Sequence, residues 1–468
     1  MPLPSSRLLL GVAISAFAGG FGSLAVLRHH SFATGRFDLG NMTQAVWSTA
    51  HGDPLAVTNL AGEQTSRLAS HVDPILLVFA PLWLVWPSPS LLLLTQAILL
   101  ALGALPVFWL ARKHLGSERT ALGFALAYLL YPATQWIALA EFHPVTLACP
   151  LLAFAFWYLD EDRLGAFAVF AVLAAATKEE IPLAIAGLGV WYAFARGRRT
   201  VGAAIALVGV ALAAIEVGVV IPHFNEGEAS DFLGRYDEVG GSAVGILETA
   251  VTDPLKVLGV AFDARGLGYL LRLLAPLAFV PLGAPLALLV AAPDLALNLL
   301  SSTRTQQSIH FHYTAPIVPA LFAAAIFASR RLPFAVGTPL VGLALASNVV
   351  LAAVPIWDLQ ARSFSVSDHD RVAVRALDRI PDDAVVSASN SLGAHLSARR
   401  RFLSFPLLRD AEWVAADETS PGYLDRFAPG PYARALSRLR RDPRWRIVFD
   451  DDGVVLFRRE SSAAAGTP

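Results

Sequence analysis

The chain has 468 residues, of which 55% are hydrophobic and 16% charged, and its net charge is −1. Ordinary globular proteins carry about 25% charged residues, so this composition excludes a soluble globular protein and equally a disordered or collagen-like chain. The single cysteine, Cys149, excludes a disulfide framework, and the balanced charge gives no sign of a nucleic-acid partner. The class that remains is a polytopic membrane protein.

Apolar runs that suit helices crossing a hydrocarbon core of ~30 Å follow one another through the first three quarters of the chain. Two further runs, 164–177 and 181–195, are short, and 74–86 has only 13 residues, which predicts a half-crossing. The chain therefore predicts eleven to twelve transmembrane helices. The clear predicted spans are approximately 8–27, 89–111, 120–139, 144–159, 200–221, 266–283, 284–300, 314–328 and 333–355.

Short basic loops predict the orientation, because such loops remain cytoplasmic. Arginines and a lysine mark the loops near 112–119, 196–199 and 330–331. With these loops inside, a long first loop at 28–73 and the part of the chain after 355 lie outside. This orientation requires that the run 74–86 does not cross the membrane fully. The other loops predicted outside are 140–143, 178–180, 223–265 and 301–313.

The last quarter of the chain has a different composition. Residues 356–468 carry 17 arginines and 16 acidic residues, together 33 of the 73 charges. We therefore predict a membrane domain over 1–355 and a soluble α/β domain over 356–468. Within the latter the pattern predicts helices at 370–380 and 431–441, a strand at 384–388, and a hairpin of 445–450 with 454–458 around an Asp-Gly turn.

Polar and ionisable residues collect in the loops predicted to face outward. Each has a structural alternative: Asp38 is equally suited to capping a helix, a lone histidine is commonly part of a solvated turn, and the two histidines about Phe311 suit either a metal or a polar loop. The run at 178–180 favours function, because intramembrane charges cost on the order of 2.5–3.5 kcal/mol each. The candidate residues are Asp38, Gln44, His71, Glu141, His143, Lys178, Glu179, Glu180, His310 and His312.

This inventory suits transfer from a lipid-linked phosphate donor. An acidic residue of the first loop would act as the general base on an acceptor hydroxyl, and a cation such as Lys178, an arginine or a divalent metal would neutralise the leaving phosphate. The lipid chain would lie between helices. We find no Walker-type loop and no dinucleotide fingerprint, so no nucleotide cofactor is expected, and the identity of any metal stays open.

The order of the motifs resembles a known family. Phe37-Asp38-Leu39-Gly40 is followed by Gln44 and Trp47, and then come His-Val-Asp-Pro at 71–74, Phe-His-Pro at 142–144, Lys-Glu-Glu at 178–180 and His312-Tyr313. Together with Val-Val-Ser-Ala-Ser at 385–389 and His-Leu-Ser at 395–397, this ordered set is similar to the bacterial membrane proteins of the domain of unknown function 2079. The resemblance covers nearly the whole chain.

The resemblance implies a fold like that of the GT-C superfamily of integral-membrane glycosyltransferases. It further implies a hexosyl or pentosyl transferase in the bacterial plasma membrane, with its active face and C-terminal domain extracytoplasmic. The donor would be a polyprenyl-phosphate-linked sugar, and the acceptor an envelope glycan, lipid or protein. Asp38 matches the acidic position on the first outer loop and is therefore the candidate catalytic base, although the paired-acid signature of the superfamily is not clearly present. Two alternatives stay open, a transporter or flippase of a lipid-linked or anionic substrate and a non-catalytic envelope scaffold.

Overall fold

The structure is a computed structural model that describes residues 5–332, 336–351, 361–422, 424–427 and 429–460. In the membrane domain the helices up to the middle of the chain are α1 Ser6–His30, α2 Asn41–Ala50, α3 Ala80–Val85, α4 Ser90–Leu102, α5 Ala104–Leu115, α6 Glu118–Leu130, α7 Pro132–Leu139, α8 Ala148–Asp160, α9 Leu164–Ala175, α10 Ile181–Ala195, α11 Arg199–Ile215 and α12 Ile221–Phe224. The next are α13 Ala243–Thr252, α14 Pro254–Ala261, α15 Ala264–Leu274, α16 Pro285–Leu288, α17 Ala292–Leu300, α18 Ile317–Ser329 and α19 Gly337–Leu351.

Four helical stretches of the described residues are long and apolar enough to cross a membrane: Ser6–His30, Ser90–Leu115, Arg199–Phe224 and His312–Ser329. The pair α6 and α7, bent by 46°, would form a fifth. Five shorter apolar helices accompany them, and the predicted half-crossing at 74–86 is one of these, Pro74–Val85. The chain is thus a bundle of apolar helices, as its composition predicts.

The predicted spans 266–283 and 284–300 differ most from the structure. This segment divides into α15, α16 and α17, joined by the 3₁₀ turns Ala275–Leu277 and Val280–Gly283. Prolines at 276, 281 and 285 remove backbone donors from the helix ladder. Ala278 and Phe279, with φ of 51° and 57°, turn the chain between them. Hydropathy alone does not report such breaks, since the segment is mostly apolar despite Arg272, Asp294 and Asn298.

The first predicted outer loop is itself folded. After α1 it forms a π-helical turn, Arg36–Gly40, which leads directly into α2. A short antiparallel hairpin of β1 (Ala56–Thr58) and β2 (Gln64–Ser66) follows. Leu39, Val46 and Val57 are buried against the apolar turn that contains Leu76. The loop is therefore held against the bundle rather than extended into solvent.

The C-terminal domain, which we define by the described residues of 361–460, is an α/β unit. Its helices are α20 Asp368–Leu377, α21 Asn390–Leu396 and α22 Pro429–Leu439, and its strands are β3 Val386–Ala388, β4 Phe402–Ser404, β5 Trp413–Asp417, β6 Trp445–Asp451 and β7 Val454–Arg459. The strand order is β4-β3-β5-β7-β6, parallel among β3, β4 and β5 and antiparallel elsewhere. The predicted hairpin is confirmed, with Asp452 and Gly453 at positive φ in its turn. The predicted boundary near 355 lies outside the described residues.

Candidate active site

Two chambers of the membrane domain share part of their lining. The polar chamber has a volume of about 470 Å³ and is lined by Asp38, Arg67, His143 and His312 among others. The apolar chamber, of about 180 Å³, lies deeper, among Leu183, Val217, Ile221 and Asp294. Their common wall consists of His71, Val145, Lys178, Phe232, Arg235 and Tyr313. Charged groups thus stand at the junction between a polar and an apolar compartment.

Asp38 lies in the π-helical turn, in the wall of the polar chamber. Its side chain is 39% exposed, and Oδ1 lies 3.2 Å from Nε2 of His143. Nδ1 of His143 lies 2.9 Å from the carbonyl oxygen of Glu141. Because a carbonyl only accepts, Nδ1 carries a proton, and the contact with Asp38 then requires a second proton between Nε2 and Oδ1. Asp38 and His143 therefore form a hydrogen-bonded pair of carboxyl and imidazole groups in the wall of the polar chamber.

Glu141 does not line either chamber but supports the turn that carries Asp38. Its Oε2 accepts hydrogen bonds from the backbone amides of Gly35, at 2.9 Å, and Leu39, at 3.1 Å. Burial, followed by the charge of Asp38, raises the pKa of Glu141 to about 7, although the two amide donors act in the opposite direction. Glu141 is therefore a carboxyl group that titrates near neutral pH and holds the backbone on both sides of Asp38.

The run at 178–180 lies between α9 and α10, where the sequence predicts it. Nζ of Lys178 lies 2.7 Å from Glu180 and 5.9 Å from the ring centre of Tyr313. Burial opposes the charge on Lys178, but the Coulombic attraction of Glu180 and Glu179 outweighs it and raises the lysine pKa. Lys178 is accordingly a charged cation at the wall shared by the chambers.

Glu179 makes a separate set of contacts. One carboxylate oxygen lies 2.9 Å from Nδ1 of His71, and the other accepts a hydrogen bond from the amide of Val72 at 3.0 Å. Burial acts to raise the pKa of Glu179, but the charge and hydrogen bond of His71 lower it to about 2. The ring of His71 stacks on Phe232 with ring centres 4.6 Å apart. Through His71, Glu179 is therefore linked to the 3₁₀ turn Asp231–Val239, which carries Phe232.

Arg235 is a site residue that the sequence analysis does not single out. It lies in the 3₁₀ turn Asp231–Val239 and borders both chambers, with its guanidinium 4.4 Å from the ring centre of Phe232. Arg67 is another: it forms a buried ion pair with Asp73 at 2.9 Å and bonds the side chain of Asn41. The only sequence signal for Arg235 is an arginine beside an aromatic residue in a long loop, which is too common to be specific.

The remaining predicted residues divide between the site and its surroundings. His312 stacks on His143 with ring centres 3.6 Å apart and lines the polar chamber. His310 is exposed, and its ring lies 4.5 Å from that of Trp136. Gln44 is buried outside the chamber walls, where its amide bonds Thr58 and the backbone of the C-terminal domain. Among the residues that line the apolar chamber, Asn298 donates to the carbonyl of Tyr313 at 3.0 Å.

Metal binding at this site has limited support from the side chains. Within the described ranges, no group of three or more His, Cys, Asp and Glu side chains is arranged to hold a metal ion. At Asp38 the donor groups are one carboxylate and one imidazole, already hydrogen-bonded to each other. These residues do not by themselves form a metal site, and proton transfer to Asp38 does not require one.

Comparisons with known proteins agree on the type of molecule. A family model described as "Predicted membrane protein (DUF2079)" matches residues 28–456. The crystal structure of ArnT from Cupriavidus metallidurans in the apo state is similar over 97% of this chain and 98% of that chain, with a TM-score of 0.53 and 13% sequence identity. No curated protein matches the sequence. At this identity the structural likeness shows the fold, which is GT-C-like, as the motif resemblance predicts.

Proposed function

The chain belongs to the family of predicted membrane proteins DUF2079, and we propose that it is a membrane glycosyltransferase of the GT-C type. In this proposal it transfers a hexose or pentose from a polyprenyl-phosphate-linked donor to an acceptor on the outer side of the bacterial plasma membrane. The observation that carries the proposal is the junction of the two chambers, where Lys178 and Arg235 stand between an apolar compartment and a polar one that contains Asp38. The ArnT-like fold supports it.

The donor matches the chambers part by part. A polyprenyl chain needs an apolar lining, which Leu183, Val217 and Ile221 provide. Its phosphate needs cations that remain charged away from water, and Lys178 and Arg235 lie where the lining changes from apolar to polar. The sugar would then lie in the polar chamber near Asp38 and His143. Opposite charges attract more strongly away from bulk water, which favours a phosphate beside Lys178 and Arg235. Glu180, 2.7 Å from Nζ of Lys178, would have to give up part of its contact with the lysine.

The reaction is a single displacement. Asp38 accepts the proton of the acceptor hydroxyl while the oxygen attacks the anomeric carbon, and the bond from that carbon to the phosphate oxygen breaks. The leaving polyprenyl phosphate takes the electron pair, and the two cations neutralise its developing charge. His143, which shares a proton with Asp38, orients the carboxylate. A direct attack of this kind inverts the anomeric configuration.

Replacing Asp38 by Asn tests the proposal. The amide cannot act as a base, so transfer should fall by about 10²- to 10⁴-fold, while donor binding should persist because the chambers and cations are unchanged. The measurement uses protein in nanodiscs, polyprenyl-phosphate hexoses and pentoses with a radiolabelled sugar, and a cell-envelope extract as the acceptor. Transfer and donor retention are counted separately.

A matched control is Asp53→Asn, which changes an exposed aspartate of the same predicted loop and should leave transfer unchanged. Full transfer by Asp38→Asn would contradict the assignment of the base. In sealed proteoliposomes, movement of the intact labelled lipid across the bilayer, without loss of its sugar and at equal rates in the wild type and Asp38→Asn, would instead support transport. A scaffold would neither bind nor turn over the donor.

A further inference from the structure

The turn that carries Asp38 is packed directly against the C-terminal domain. Helix α21 lies on the π-helical turn Arg36–Gly40, and glycines on both sides make the approach close. A Cβ atom at Gly393 would lie 2.7 Å from Cβ of Arg36, and one at Gly35 would lie 2.5 Å from Nδ2 of Asn390. Gly35 and Gly40 have ordinary φ angles of −120° and −65°. Their lack of a side chain is therefore required by the contact between domains and not by the backbone.

Hydrogen bonds cross the same contact. Oδ1 of Asn390 accepts from the amide of Phe37, the residue before Asp38, at 3.2 Å. Arg36 donates to the carbonyl of Phe402 at 3.3 Å. Beyond the turn, Gln44 donates to the carbonyls of Arg399 and Arg400, both at 3.2 Å. Polar groups of the first loop thus bond to the C-terminal domain, and among them the side chains of Arg36 and Gln44 are buried.

Asn390 is itself fixed from within the C-terminal domain. The backbone amide of Asn390 donates to Oδ2 of Asp425 at 2.9 Å, and the backbone amide of Gly422 donates to the same oxygen at 3.0 Å. On the other side of the turn, Glu141 of the membrane domain bonds the amides of Gly35 and Leu39. Asp38 therefore lies on a five-residue turn that is bonded both to the membrane domain, through Glu141, and to the C-terminal domain, through Asn390.

We propose that the C-terminal domain completes the active site: Asn390 and the glycine-mediated packing of α21 are positioning elements that fix Asp38 for proton transfer. The inference rests on the proposed function for its catalytic meaning, whereas the positioning itself is a property of the fold. It assigns the C-terminal domain a part in catalysis. Since a displacement of about 1 Å can cost on the order of 10²-fold in rate, loss of this contact should act on turnover more than on substrate binding.

A rescue pair tests the packing. In Gly40→Ala the new methyl group would collide with Oγ of Ser397, and with this oxygen removed the nearest atoms are Cα of Ala394 and Cβ of Ser397, both at 3.4 Å. We expect Gly40→Ala to speed amide exchange in residues 36–44 and to lower kcat on the order of 10²-fold. Ser397→Ala alone removes a hydrogen bond of 2.6 Å from Oγ to the carbonyl oxygen of Gly393 and should change both by less than Gly40→Ala does. Gly40→Ala combined with Ser397→Ala should return both to the level of Ser397→Ala. Failure of the second change to restore exchange overturns the packing argument.

Asn390 gives a second test that does not depend on packing. In Asn390→Ala the amide of Phe37 loses its acceptor and should exchange roughly fivefold faster in hydrogen–deuterium exchange, and kcat should fall with KM nearly constant. Asn390→Asp retains an acceptor oxygen and should rescue both. Ser391→Ala, which removes a neighbouring hydroxyl that makes no hydrogen bond to the described part of the chain, is the matched control.

The exchange and turnover measurements separate the two hypotheses. Wild-type exchange at Phe37 in Asn390→Ala overturns the positioning role, whatever the enzyme does. Faster exchange together with unchanged kcat also overturns it, because the turn would then move without consequence. If the wild-type protein transfers no sugar at all, the proposed function fails, while the exchange data still decide whether the C-terminal domain holds the turn.

Discussion

At the scale of single residues, two acids close together in the site make different contacts. Asp38 is partly exposed in the polar chamber and hydrogen-bonded to His143, whereas Glu141 is turned towards two backbone amides. The difference follows from the partners available: an imidazole side chain faces one acid, and backbone amides face the other. Asp38 is thus suited to proton transfer and Glu141 to holding the loop.

The Glu141 carboxyl should make stability depend on pH. Its pKa is raised from 4.5 to about 7 in the folded chain, mainly by burial and next by the charge of Asp38. Between these values the folded state binds more protons than the unfolded state, so the contribution of this group to stability falls as pH rises through that window. Glu141→Gln removes the titration but keeps one acceptor oxygen. The difference in Tm, variant minus wild type, should therefore increase from pH 5 to pH 8.

This pH dependence is measurable by thermal unfolding in detergent at a series of pH values. Glu226→Gln changes an exposed glutamate and should give a difference that does not vary over the same range. A flat profile for Glu141→Gln would show that the carboxyl does not titrate in this window. A difference that decreases with pH would mean that folding lowers the pKa of Glu141 and does not raise it.

At the scale of elements, the hairpin of α10 and α11 shows how the bundle places the run at 178–180. The two helices approach through glycines: a Cβ atom at Gly202 would lie 2.5 Å from the carbonyl oxygen of Gly189, and one at Gly209 would lie 2.5 Å from that of Pro182. Small residues allow such close approach between membrane helices. Because α10 begins directly after Glu180, this helix packing fixes the position of Lys178 along the helix axis, at the wall shared by the two chambers.

We expect Gly202→Ala to destabilise the protein by about 1–3 kcal/mol, as overpacking does, because the new methyl group would meet backbone atoms that cannot rotate away. Gly19→Ala in α1 is the matched control, since a Cβ atom at Gly19 would have no neighbouring atom within 4 Å. That change should be neutral or stabilising, by up to about 1 kcal/mol, as alanine is the better helix former. The measurement is the Tm of each variant in detergent relative to the wild type. An equal shift for Gly202→Ala and Gly19→Ala would refute the packing argument.

At the scale of the whole molecule, the site and the basic loops lie at opposite ends of the same helices. The 17 residues of Pro144–Asp160 begin beside the polar chamber and span about 25 Å at 1.5 Å per residue, close to the thickness of a hydrocarbon core. At the far end, Lys113 pairs with Asp160 and Glu161, at 2.7 and 2.6 Å. Arg196 pairs with Asp162 at 3.1 Å. Two of the three loops used to predict orientation, 112–119 and 196–199, therefore both contact the loop at 160–162.

We predict that the end with the C-terminal domain faces the outside of the cell, since the opposite end carries the basic loops. Ser437→Cys in α22 and Thr200→Cys at the start of α11 place single exposed thiols at the two ends. A membrane-impermeant maleimide added to intact spheroplasts should label the Ser437→Cys protein and leave the Thr200→Cys protein unlabelled until the cells are lysed. The native Cys149 is buried and gives no background. Labelling only of the Thr200→Cys protein would invert the topology.

Sequence by itself determined the class of the protein, most helices of the bundle and the C-terminal hairpin. These depend on local patterns: the length of an apolar run, an Asp-Gly turn, the composition of a segment. It also grouped Asp38, His143 and Lys178 by predicting that their loops face one side. It did not anticipate the breaks in 266–300, because prolines in an apolar segment leave its hydropathy unchanged.

The roles of individual side chains were decided by the tertiary structure alone. Whether Glu141 faces a chamber or a backbone amide, and whether Arg235 reaches the junction, depends on contacts between distant parts of the chain. His143 meets Asp38 across 105 positions, and Asn390 meets Phe37 across 353. Side-chain hydrogen bonds of this kind carry no periodic signal in the sequence, since they require only one residue of suitable chemistry on each side. Folding, which brings α21 onto the turn of Asp38, supplies the rest.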